Sequence, residues 1–382
     1  MNISSSKVVV LQRFIPSYRV AVFKEIVRQA PFNITYVIGK NVDGLKAQNA
    51  KNLSGLNYMM LRSKGITIFG RTLVWHFGLL RTLFRLNPKV IVCEAESHVL
   101  GYLIAILYKI FRLGQPQLIL WCFFVLPGQE NRRSFLGRIL RKIIRYFFSG
   151  FISYAALGKQ YLISQGVAPS HIFIANNVCD TQAFLERANS LKITQHEAKI
   201  NLGLAGKFIV SYVGTLDPVK RPDLLVELAE IEDLQNIHFC IVGTGHMERQ
   251  LRKTAEDKKL ENITITGRIS DGLDLYYRAS DLVILPGRGG IVISESMCFS
   301  TPVMAFQGDG TEIDLLQNNE TGYLLTSGEM QCFAEHIKIL SKDAEKCTLV
   351  GSRGHNLILN NLNTNNMALA FVNSLHFVMT KP

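Results

Sequence analysis

The chain has 382 residues, 48% hydrophobic and 19% charged, so it can form large cores and its composition excludes a disordered protein. Lys and Arg number 42 against 30 Asp and Glu. The net charge of +12 suits an anionic partner: a nucleotide diphosphate, an acidic lipid surface or a nucleic acid. The seven cysteines are scattered without a CxxC pair, which favours a reducing compartment and argues against a zinc site.

The N-terminal residues do not have the pattern of a secretory signal. Residues 1–7 are polar, and the apolar run 8–11 is too short for a signal-peptide core. The longest apolar run, 99–108, has about half the length that a membrane-spanning helix needs. We therefore expect a cytoplasmic protein, with peripheral contact at the inner face of the plasma membrane left open.

Short apolar runs separated by helical stretches recur through the first half of the chain. The predicted strands are 8–11, 34–38, 58–61, 90–93, 118–121, 151–154 and 172–175. The predicted helices include 20–29, 72–86 and 99–113. Such alternation is typical of a doubly wound parallel sheet, which binds its ligands at the carboxyl ends of its strands.

Residues 176–202 are polar and are interpreted as a linker to a second α/β domain. The strands predicted there are 208–213, 237–242, 263–266, 282–285 and 303–306, with helices at 224–232, 247–259 and 273–279. A mostly helical tail, 332–377, follows. We therefore predict two Rossmann-like domains, 1–185 and 186–355, and a C-terminal helical segment, 356–382, that returns to the first.

Two glycine-rich turns follow neighbouring strands between residues 282 and 325. Each leads directly into a helix, and Thr311 and Glu312 open the second one. Glycine admits positive φ and leaves room for a ligand against bare peptide, while helix N-termini attract anions. The glycines singled out are Gly287, Gly289, Gly290 and Gly310. A phosphate-bearing ligand is expected at these turns.

Three more loops follow strands of the second domain. The loop after 208–213 carries Lys220 and Arg221. Lys220 suits a phosphate as a point charge, and Arg221 suits one as a bidentate donor. Alternatively, both are solvated surface charges. Gly243 and Gly245 form a GxG turn that lacks the third glycine of a dinucleotide fingerprint. The turn at Arg268 and Ile269 could offer backbone groups to a base.

Three groups of side chains admit both a functional and a structural interpretation. Glu295 could chelate the hydroxyls of a ribose, or it could be a glutamate favoured by the dipole of its helix. The basic amphipathic segment 132–151 could lie on anionic lipid, or pack on the core with a solvated face. The side chains after strand 90–93 could bind acceptor hydroxyls or act as a base: Glu94, Glu96 and His98.

The second half resembles the donor-binding domain of retaining glycosyltransferases of the two-Rossmann (GT-B) type, close to glycosyltransferase family 4, bacterial polysaccharide branch. The matching runs are SYVGTLDPVKRPDLLVELA, HFCIVGTGHMERQL, ITITGRISDGLDLYYRASDLVILPG and ESMCFSTPVMAFQGDGTEIDLLQNNETGYLL. HIFIANNVCDTQAF is similar to the segment that enters that domain. QRFIPSYRVAVFKEI resembles the N-terminal loop and helix of bacterial polysaccharide members.

The resemblance implies an acceptor-binding domain, 1–185, and a nucleotide-sugar donor domain, 186–355, that face a cleft. Transfer would retain the anomeric configuration. By position, Lys220 would clamp the donor diphosphate with help from Arg221, and Glu295 would hold the ribose. The donor-binding positions would be Gly214, Thr215, Gly243, Gly245, Arg268, Ile269, Gly287, Arg288, Gly289, Gly290, Gly310, Thr311 and Glu312. The acceptor-side candidates are Arg13, Arg19, Glu94, Glu96 and His98.

Two positions depart from the family pattern. The first position of its Glu-x7-Glu pair is Gly287, although related bacterial members carry a similar glycine-rich stretch. Thr215 replaces an arginine often found after the first glycine, which leaves Lys220, Arg221 or Arg288 to supply the positive charge. The chain also lacks an Asp-x-Asp triplet, so we expect no essential metal and no cofactor beyond the nucleotide-sugar substrate.

The implied chemistry is glycosyl transfer to a glycan or lipid-diphosphate-linked acceptor in bacterial surface polysaccharide (O-antigen or capsule) synthesis. Fixed cations and helix N-termini would stabilise the departing diphosphate, and front-face transfer would let that phosphate accept the acceptor's proton. The alternatives are a non-catalytic relative that binds sugar nucleotide or lipid in an assembly complex, and a sugar-nucleotide epimerase. A nucleic-acid partner is not expected, because the basic residues lack interleaved stacking aromatics.

Overall fold

Two parallel β-sheets organise the chain, one in each of two units. The first unit comprises Met1–Asn176 with Thr364–Pro382, and the second comprises Asn177–Asn363. The computed structural model describes residues 6–42, 48–68, 71–95, 99–128, 142–326 and 328–380.

The elements are numbered in chain order. The strands are β1 Lys7–Leu11, β2 Asn33–Gly39, β3 Tyr58–Leu61, β4 Ser63–Ile68, β5 Arg71–His76, β6 Val90–Glu94, β7 Gln117–Cys122, β8 Gly150–Ser153, β9 Ile172–Ile174, β10 Phe208–Val213, β11 Ile237–Val242, β12 Ile263–Gly267, β13 Leu282–Leu285, β14 Val303–Phe306 and β15 Tyr323–Leu325. The helices are α1 Ser17–Gln29, α2 Leu79–Leu86, α3 Val99–Phe111, α4 Ala156–Ser164, α5 Thr181–Ser190, α6 Gln195–Asn201, α7 Asp223–Ala229, α8 Glu248–Asp257, α9 Leu273–Ala279, α10 Ile291–Cys298, α11 Thr311–Leu315, α12 Met330–Leu340, α13 Ala344–Asn360 and α14 Thr364–Thr380. None of the described helices has the length and apolar composition to cross a membrane.

In the described part of the first unit, the parallel sheet has the order β3-β2-β1-β6-β7-β8-β9. Its inner strands, such as β1 and β6, are buried on both faces, as the near-continuous apolar runs predict. One face packs on α2 and α3 through residues such as Val9 and Ile91. The other meets α1 and α14, where Trp121 contacts Phe23 and Phe371. The last helix therefore belongs to the first unit, as the predicted fold has it.

A two-stranded antiparallel hairpin, β4–β5, corrects the prediction of a helix over 72–86. Its register pairs Ile66 with Leu73 and Ser63 with His76. Both strands are rich in β-branched residues, with Ile66, Thr67 and Ile68 in β4 and Thr72 and Val74 in β5, which favours a pleated conformation over a helix. The helix begins only at Leu79, after Gly78 adopts a left-handed conformation at φ 76°.

In the second unit, described except for residue 327, the parallel sheet has the order β12-β11-β10-β13-β14-β15. The chain runs outward from β10 to β12, then returns to β13 beside β10 and runs outward on the other side. The strand order thus reverses between β10 and β13. In open α/β sheets, ligands bind at this reversal, outside the carboxyl ends of the strands. Sequence reasoning omitted the edge strand β15.

The polar segment 176–202, interpreted as a linker, forms two capped helices of the second unit instead. Asp180 caps α5 by accepting from the Ala183 N–H at 3.2 Å. Thr194 and Glu197 form a reciprocal capping box at the start of α6. The Thr-x-x-Glu spacing was the sequence signal for this helix. The unit boundaries accordingly fall at 176/177 and 363/364, whereas the predicted ones are 185/186 and 355/356.

Candidate functional site

The loops that follow β10 and β13 flank the reversal of the second sheet, and Lys220 lies between them. Lys220 ends a short 3-10 turn, Pro218–Lys220, whose backbone closes with a 2.9 Å bond from Lys220 N–H to the Asp217 carbonyl. Its Nζ lies 3.2 Å from the point where a Cβ on Gly289 would be, and 3.6 Å from the equivalent point on Gly214. The amine therefore sits where both strands end.

Gly287 allows the two loops to touch through their backbones. A Cβ at this position would lie 2.5 Å from the Val219 carbonyl oxygen and 2.6 Å from the Lys220 Cα. The Arg288 N–H donates to the same Val219 oxygen at 3.3 Å. The position that carries a glutamate in the resembled family therefore has no room for a side chain here. The space that we expected to receive a ligand is filled by the neighbouring loop.

The other glycines of these turns face protein atoms as well. A Cβ on Gly243 would overlap Gly214, and one on Gly245 would overlap Leu216. One on Gly290 would lie 2.7 Å from the Thr311 Cβ. These glycines allow the loops after β10, β11 and β13, and the start of α11, to pack closely against one another. Gly289 differs, because the space over it is occupied by the flexible amine of Lys220.

Three carboxylates attract the Lys220 ammonium. Burial lowers the pKa of Lys220, while the negative charges of Asp217, Glu295 and Asp309 oppose that shift. The ammonium is thus partly desolvated and is attracted by acidic groups from the loops after β10 and β14 and from helix α10. In such a setting an approaching anion meets a cation that water screens weakly.

Glu295 is held by a residue that sequence reasoning missed. The Tyr277 hydroxyl donates to Glu295 Oε2 at 2.6 Å, and the Tyr277 ring is fully buried and stacked on Phe299 at 5.3 Å. Burial raises the pKa of Glu295, an effect opposed by Tyr277, Arg187 and Lys220. The tyrosine precedes the glutamate by 18 residues, on another helix, so no helical or strand spacing in the sequence links them.

The two helix N-termini at this edge differ, although the sequence analysis treats them alike. Helix α10 starts at Gly290 without a side-chain cap. At α11, Glu312 accepts from the Gly310 N–H at 2.9 Å and the Asp309 N–H at 3.2 Å, and Asp309 accepts from the Thr311 N–H at 3.0 Å. Anion binding by amides is therefore possible at α10, whereas α11 is capped by its own carboxylates.

Thr311 and Glu312 are buried at the start of α11. The Thr311 hydroxyl has no hydrogen-bond partner among the described residues, and it lies 3.1 Å from the point where a Cβ on Gly290 would be. Burial, reinforced by the charge of Asp309, raises the pKa of Glu312 to about 7. Gly310, which precedes them, has φ 97°, a conformation that favours glycine. A buried hydroxyl that lacks a partner is the kind of group a polar ligand satisfies.

The structure does not bring every predicted donor residue to Lys220. The Arg221 guanidinium instead bonds to the Gly328 carbonyl at 3.3 Å and pairs with Asp223 at 3.5 Å. Arg288 and Thr215 are exposed on the loops that flank Lys220, and Arg268 is exposed after β12. Ile269, next to Arg268, is half-buried. These four positions lie at the carboxyl edge of the sheet.

In the first unit, Glu94 ends strand β6, and Arg13 lies two residues after the end of the adjacent strand β1. Burial lowers the pKa of Arg13, against the attraction of Glu94. The buried Arg13 Nε has no partner among the described residues. Arg19 is packed away from solvent, with its guanidinium 4.7 Å from the Tyr154 ring and 5.6 Å from that of Trp121. Both other acceptor candidates, Glu96 and His98, lie outside the described residues.

Two further predictions stay open. Residues 132–141 of the basic amphipathic segment lie outside the described ranges, whereas 142–146 form a helical turn. Among the described residues, no cluster of three or more His, Cys, Asp or Glu side chains could hold a metal ion. The expectation that the protein needs no metal remains a prediction.

The family match falls within the second unit of the chain. Residues 194–356 match the family model for glycosyl transferases group 1. The poly(ribitol-phosphate) α-N-acetylglucosaminyltransferase of Staphylococcus aureus is 27% identical over 171 residues, which cover 43% of this chain and 34% of that protein. The capsular polysaccharide biosynthesis glycosyltransferase CapM of Staphylococcus aureus is 20% identical over 60% of this chain and 61% of that one. The matches thus span about a third to three fifths of these relatives.

Solved structures match almost the whole chain. Alr3699/HepE of Anabaena, solved in complex with UDP, superposes with a TM-score of 0.73 at 16% identity, over 97% of this chain and 100% of that one. The same protein in complex with UDP-glucose gives a TM-score of 0.69 at 16% identity, over 97% and 99%. At such identities the likeness shows the fold, and the predicted class of two doubly wound parallel-sheet domains of the GT-B type is confirmed. Residues 194–356 therefore form a glycosyltransferase group 1 domain within this fold.

Proposed function

We propose that the protein transfers a sugar from a nucleotide-sugar donor to a glycan or lipid-linked acceptor, with retention of configuration, in bacterial surface polysaccharide synthesis. The observation that carries this proposal is the position of Lys220. Its amine lies between Gly214 and Gly289, and the charge of Glu295 acts on it. A cation and a carboxylate so arranged match the two ends of a nucleoside diphosphate, its phosphates and its ribose.

The donor diphosphate would bind Lys220 and the amides at the start of α10. That helix has no side-chain cap, so its first N–H groups can donate to phosphate oxygens. Glu295 would accept from the ribose hydroxyls through Oε1, because Tyr277 already occupies Oε2. The Thr311 hydroxyl would donate to the donor sugar or the phosphate next to it. The complexes of HepE with UDP and UDP-glucose support a uridine nucleotide as the first donor to test.

Transfer would proceed without a dedicated protein base or a metal. Departure of the nucleoside diphosphate leaves negative charge on its phosphate, and Lys220 and the α10 dipole stabilise that charge as it forms. The acceptor hydroxyl loses its proton to the departing phosphate oxygen on the same face of the sugar, so the new bond keeps the original configuration. A chelator such as EDTA is expected to leave the rate unchanged.

The acceptor would bind at the carboxyl edge of the first sheet, near Arg13 and Glu94. These side chains lie at the ends of neighbouring strands and attract each other. The buried Arg13 Nε, without a partner among the described residues, could donate to an acceptor phosphate or hydroxyl. The S. aureus relatives named for poly(ribitol-phosphate) and capsular polysaccharide support a surface glycan as the acceptor class.

A thermal-shift screen with UDP-, GDP- and dTDP-sugars tests the donor site. We expect one nucleotide to raise the melting temperature, and Lys220→Ala to remove that rise. The matched control is Lys253→Ala, an exposed lysine on α8, which should keep it. If none of the nucleotides shifts the melting temperature, or if both variants behave alike, the proposal fails.

A second candidate is a relative that binds sugar nucleotide without catalysing transfer. The contact of Gly287 with Val219 and Lys220 favours it, because no carboxylate can occupy that position. Slow release of UDP from UDP-sugar in the absence of acceptor separates the two. Hydrolysis that Lys220→Ala abolishes supports the transferase, and tight UDP binding with no turnover supports the binding protein.

A further inference from the structure

The outer side of helix α3 in the first unit is apolar and exposed. The helix is apolar on every side, and Lys109 is its one charged residue. On its inner side, Ala105 and Tyr108 pack into the core of the unit. On its outer side are four side chains that are 42–59% exposed: Leu103, Leu107, Ile110 and Phe111. A helix that is apolar all round normally has an apolar partner on both sides.

Neighbouring residues extend this surface. Phe84 on α2 is 46% exposed, and its ring lies 6.4 Å from that of Phe111. Leu113, just after α3, is 96% exposed. We call this set the α2–α3 patch: Phe84, Leu103, Leu107, Ile110, Phe111 and Leu113. Clusters of this kind on a protein surface mark sites that bind a protein or a membrane.

The patch lies within the most basic part of the chain. Residues 44–150 contain 16 Lys and Arg against three Asp and Glu, a net +13 that exceeds the +12 of the whole chain. Around the patch, the exposed cations include Arg81 and Arg85 on α2, and Arg112 after α3. Between positions 44 and 128 the sequence has two acidic residues, Glu94 and Glu96, and Glu94 is buried at the end of β6.

An apolar surface edged by cations and poor in carboxylates fits an anionic lipid bilayer. A protein partner would usually meet charges of both signs, and a nucleic acid would leave the leucines exposed to water. We propose that the α2–α3 patch binds an anionic membrane surface, with its apolar side chains at the level of the acyl chains and Arg81, Arg85 and Arg112 against lipid phosphates. This membrane proposal rests on the proposed function for one point, namely that the acceptor is carried on a lipid.

The position of α3 connects this surface with the acceptor side of the site. The helix follows β6, so it begins at the carboxyl edge of the sheet, where Arg13 and Glu94 lie. A bilayer that contacts α3 along its length would therefore bring lipid headgroups towards those residues. This arrangement suits an acceptor whose diphosphate is anchored in the same bilayer.

Cosedimentation of the full chain with vesicles tests the proposal. We expect binding to vesicles of phosphatidylglycerol and phosphatidylcholine, little binding to phosphatidylcholine alone, and weaker binding as salt is raised. Arg81→Ser with Arg85→Ser should lower partition to anionic vesicles about thirtyfold. Leu107→Ser with Phe111→Ser should lower it roughly tenfold or more.

The matched control is Ile339→Ser with Leu349→Ser, two exposed apolar residues of the second unit, which should leave partition unchanged. Arg132→Ser with Arg133→Ser, in the basic segment outside the described residues, should lower partition less than Arg81→Ser with Arg85→Ser; a larger effect would overturn the assignment of binding to the patch. Circular dichroism checks that each variant is folded. The proposal is overturned if the wild type stays in the supernatant, or if patch variants bind like the wild type. It is also overturned if ultracentrifugation shows a dimer that the patch variants abolish.

Failure here can be told apart from failure of the proposed function. The patch variants should keep the thermal shift with nucleotide sugar, since their positions lie in the first unit and Lys220 and Glu295 lie in the second. A protein that binds vesicles through the patch but no nucleotide would refute the transferase and leave the membrane surface standing. A protein that binds nucleotide but no vesicles would refute the membrane surface and leave the transferase proposal standing.

Discussion

The buried hydroxyl of Tyr277 donates a 2.6 Å hydrogen bond to Glu295, the carboxylate to which we assign the ribose of the donor. The bond fixes Oε2 and leaves Oε1 for a ligand. It also explains how a carboxylate whose pKa burial raises can be held in one orientation.

Replacing Tyr277 by Phe should weaken nucleotide binding while the fold is kept. A hydrogen bond to a charged group contributes about 1.5–3 kcal/mol. Because this bond is already present in the free protein, only part of that energy affects binding, and we expect affinity for UDP-sugar to fall roughly tenfold in calorimetric titration. Tyr276→Phe, the next residue along α9, serves as the control. Equal affinities for both variants would show that Tyr277 does not position Glu295.

Replacing Gly287 by Ala should distort the site, because the added methyl group would push against the backbone of the loop that carries Lys220. The added methyl group would lie 2.5–2.7 Å from Val219 and Lys220 backbone atoms, so we expect a loss of about 1–3 kcal/mol in the free energy of unfolding and loss of nucleotide binding. Gly203→Ala is the control, because Gly203 has φ 70° and nothing within 4 Å of its Cβ position. It should cost about 1–2 kcal/mol and leave binding intact. Unchanged nucleotide binding in Gly287→Ala would contradict the contact.

Replacing Thr311 by Val should stabilise the free protein and weaken donor binding. The change removes a buried hydroxyl that has no partner among the described residues, so we expect denaturant titration to show a gain of about 1 kcal/mol. Thr301→Val should do the opposite, because the Thr301 hydroxyl donates to the Tyr277 carbonyl at 2.7 Å. If Thr311→Val loses stability and binds donor normally, the hydroxyl serves the fold alone.

Replacing Glu312 by Gln should change how stability depends on pH. The folded protein raises the pKa of Glu312 to about 7, so it binds a proton more tightly than the unfolded chain does. This group therefore lowers the free energy of unfolding as pH rises from about 4.5 to 7, by up to about 3 kcal/mol. The variant lacks that decrease, so its stability relative to the wild type should increase over this range. Parallel pH profiles from urea titrations would refute the shift.

Sequence reasoning placed the strands of both sheets well, because parallel strands buried on two faces are short continuous apolar runs. It also brought Lys220 and Glu295 to one region, since loops after parallel strands share an edge. The sequence could not show which of the two glycine turns leaves a helix N-terminus free to bind an anion. The difference depends on Glu312 turning back to the Asp309 and Gly310 amides, a side-chain orientation that no spacing specifies.

Contacts between distant segments account for the remaining differences. Tyr277 reaches Glu295 only because the fold brings α9 and α10 together, both of them packed against α5. Arg221 was expected beside Lys220, but its backbone is left-handed at φ 53° and its guanidinium bonds to Gly328 and Asp223. Adjacent residues in a tight turn can thus point in opposite directions, which the sequence does not reveal.

The interlocked glycines bear on how the donor preference of this protein could be altered. Gly243, Gly245 and Gly287 accept no side chain without displacing the backbone of a neighbouring loop, so random libraries at these positions would yield mainly destabilised chains with a distorted site. The loop after β12 is freer, since the Arg268 side chain is exposed and the neighbouring Ile269 is half-buried. Arg268 and Ile269, which the resemblance assigns to the base of the donor, are therefore the positions where we expect substitutions to be tolerated while the loops around Lys220 stay in place.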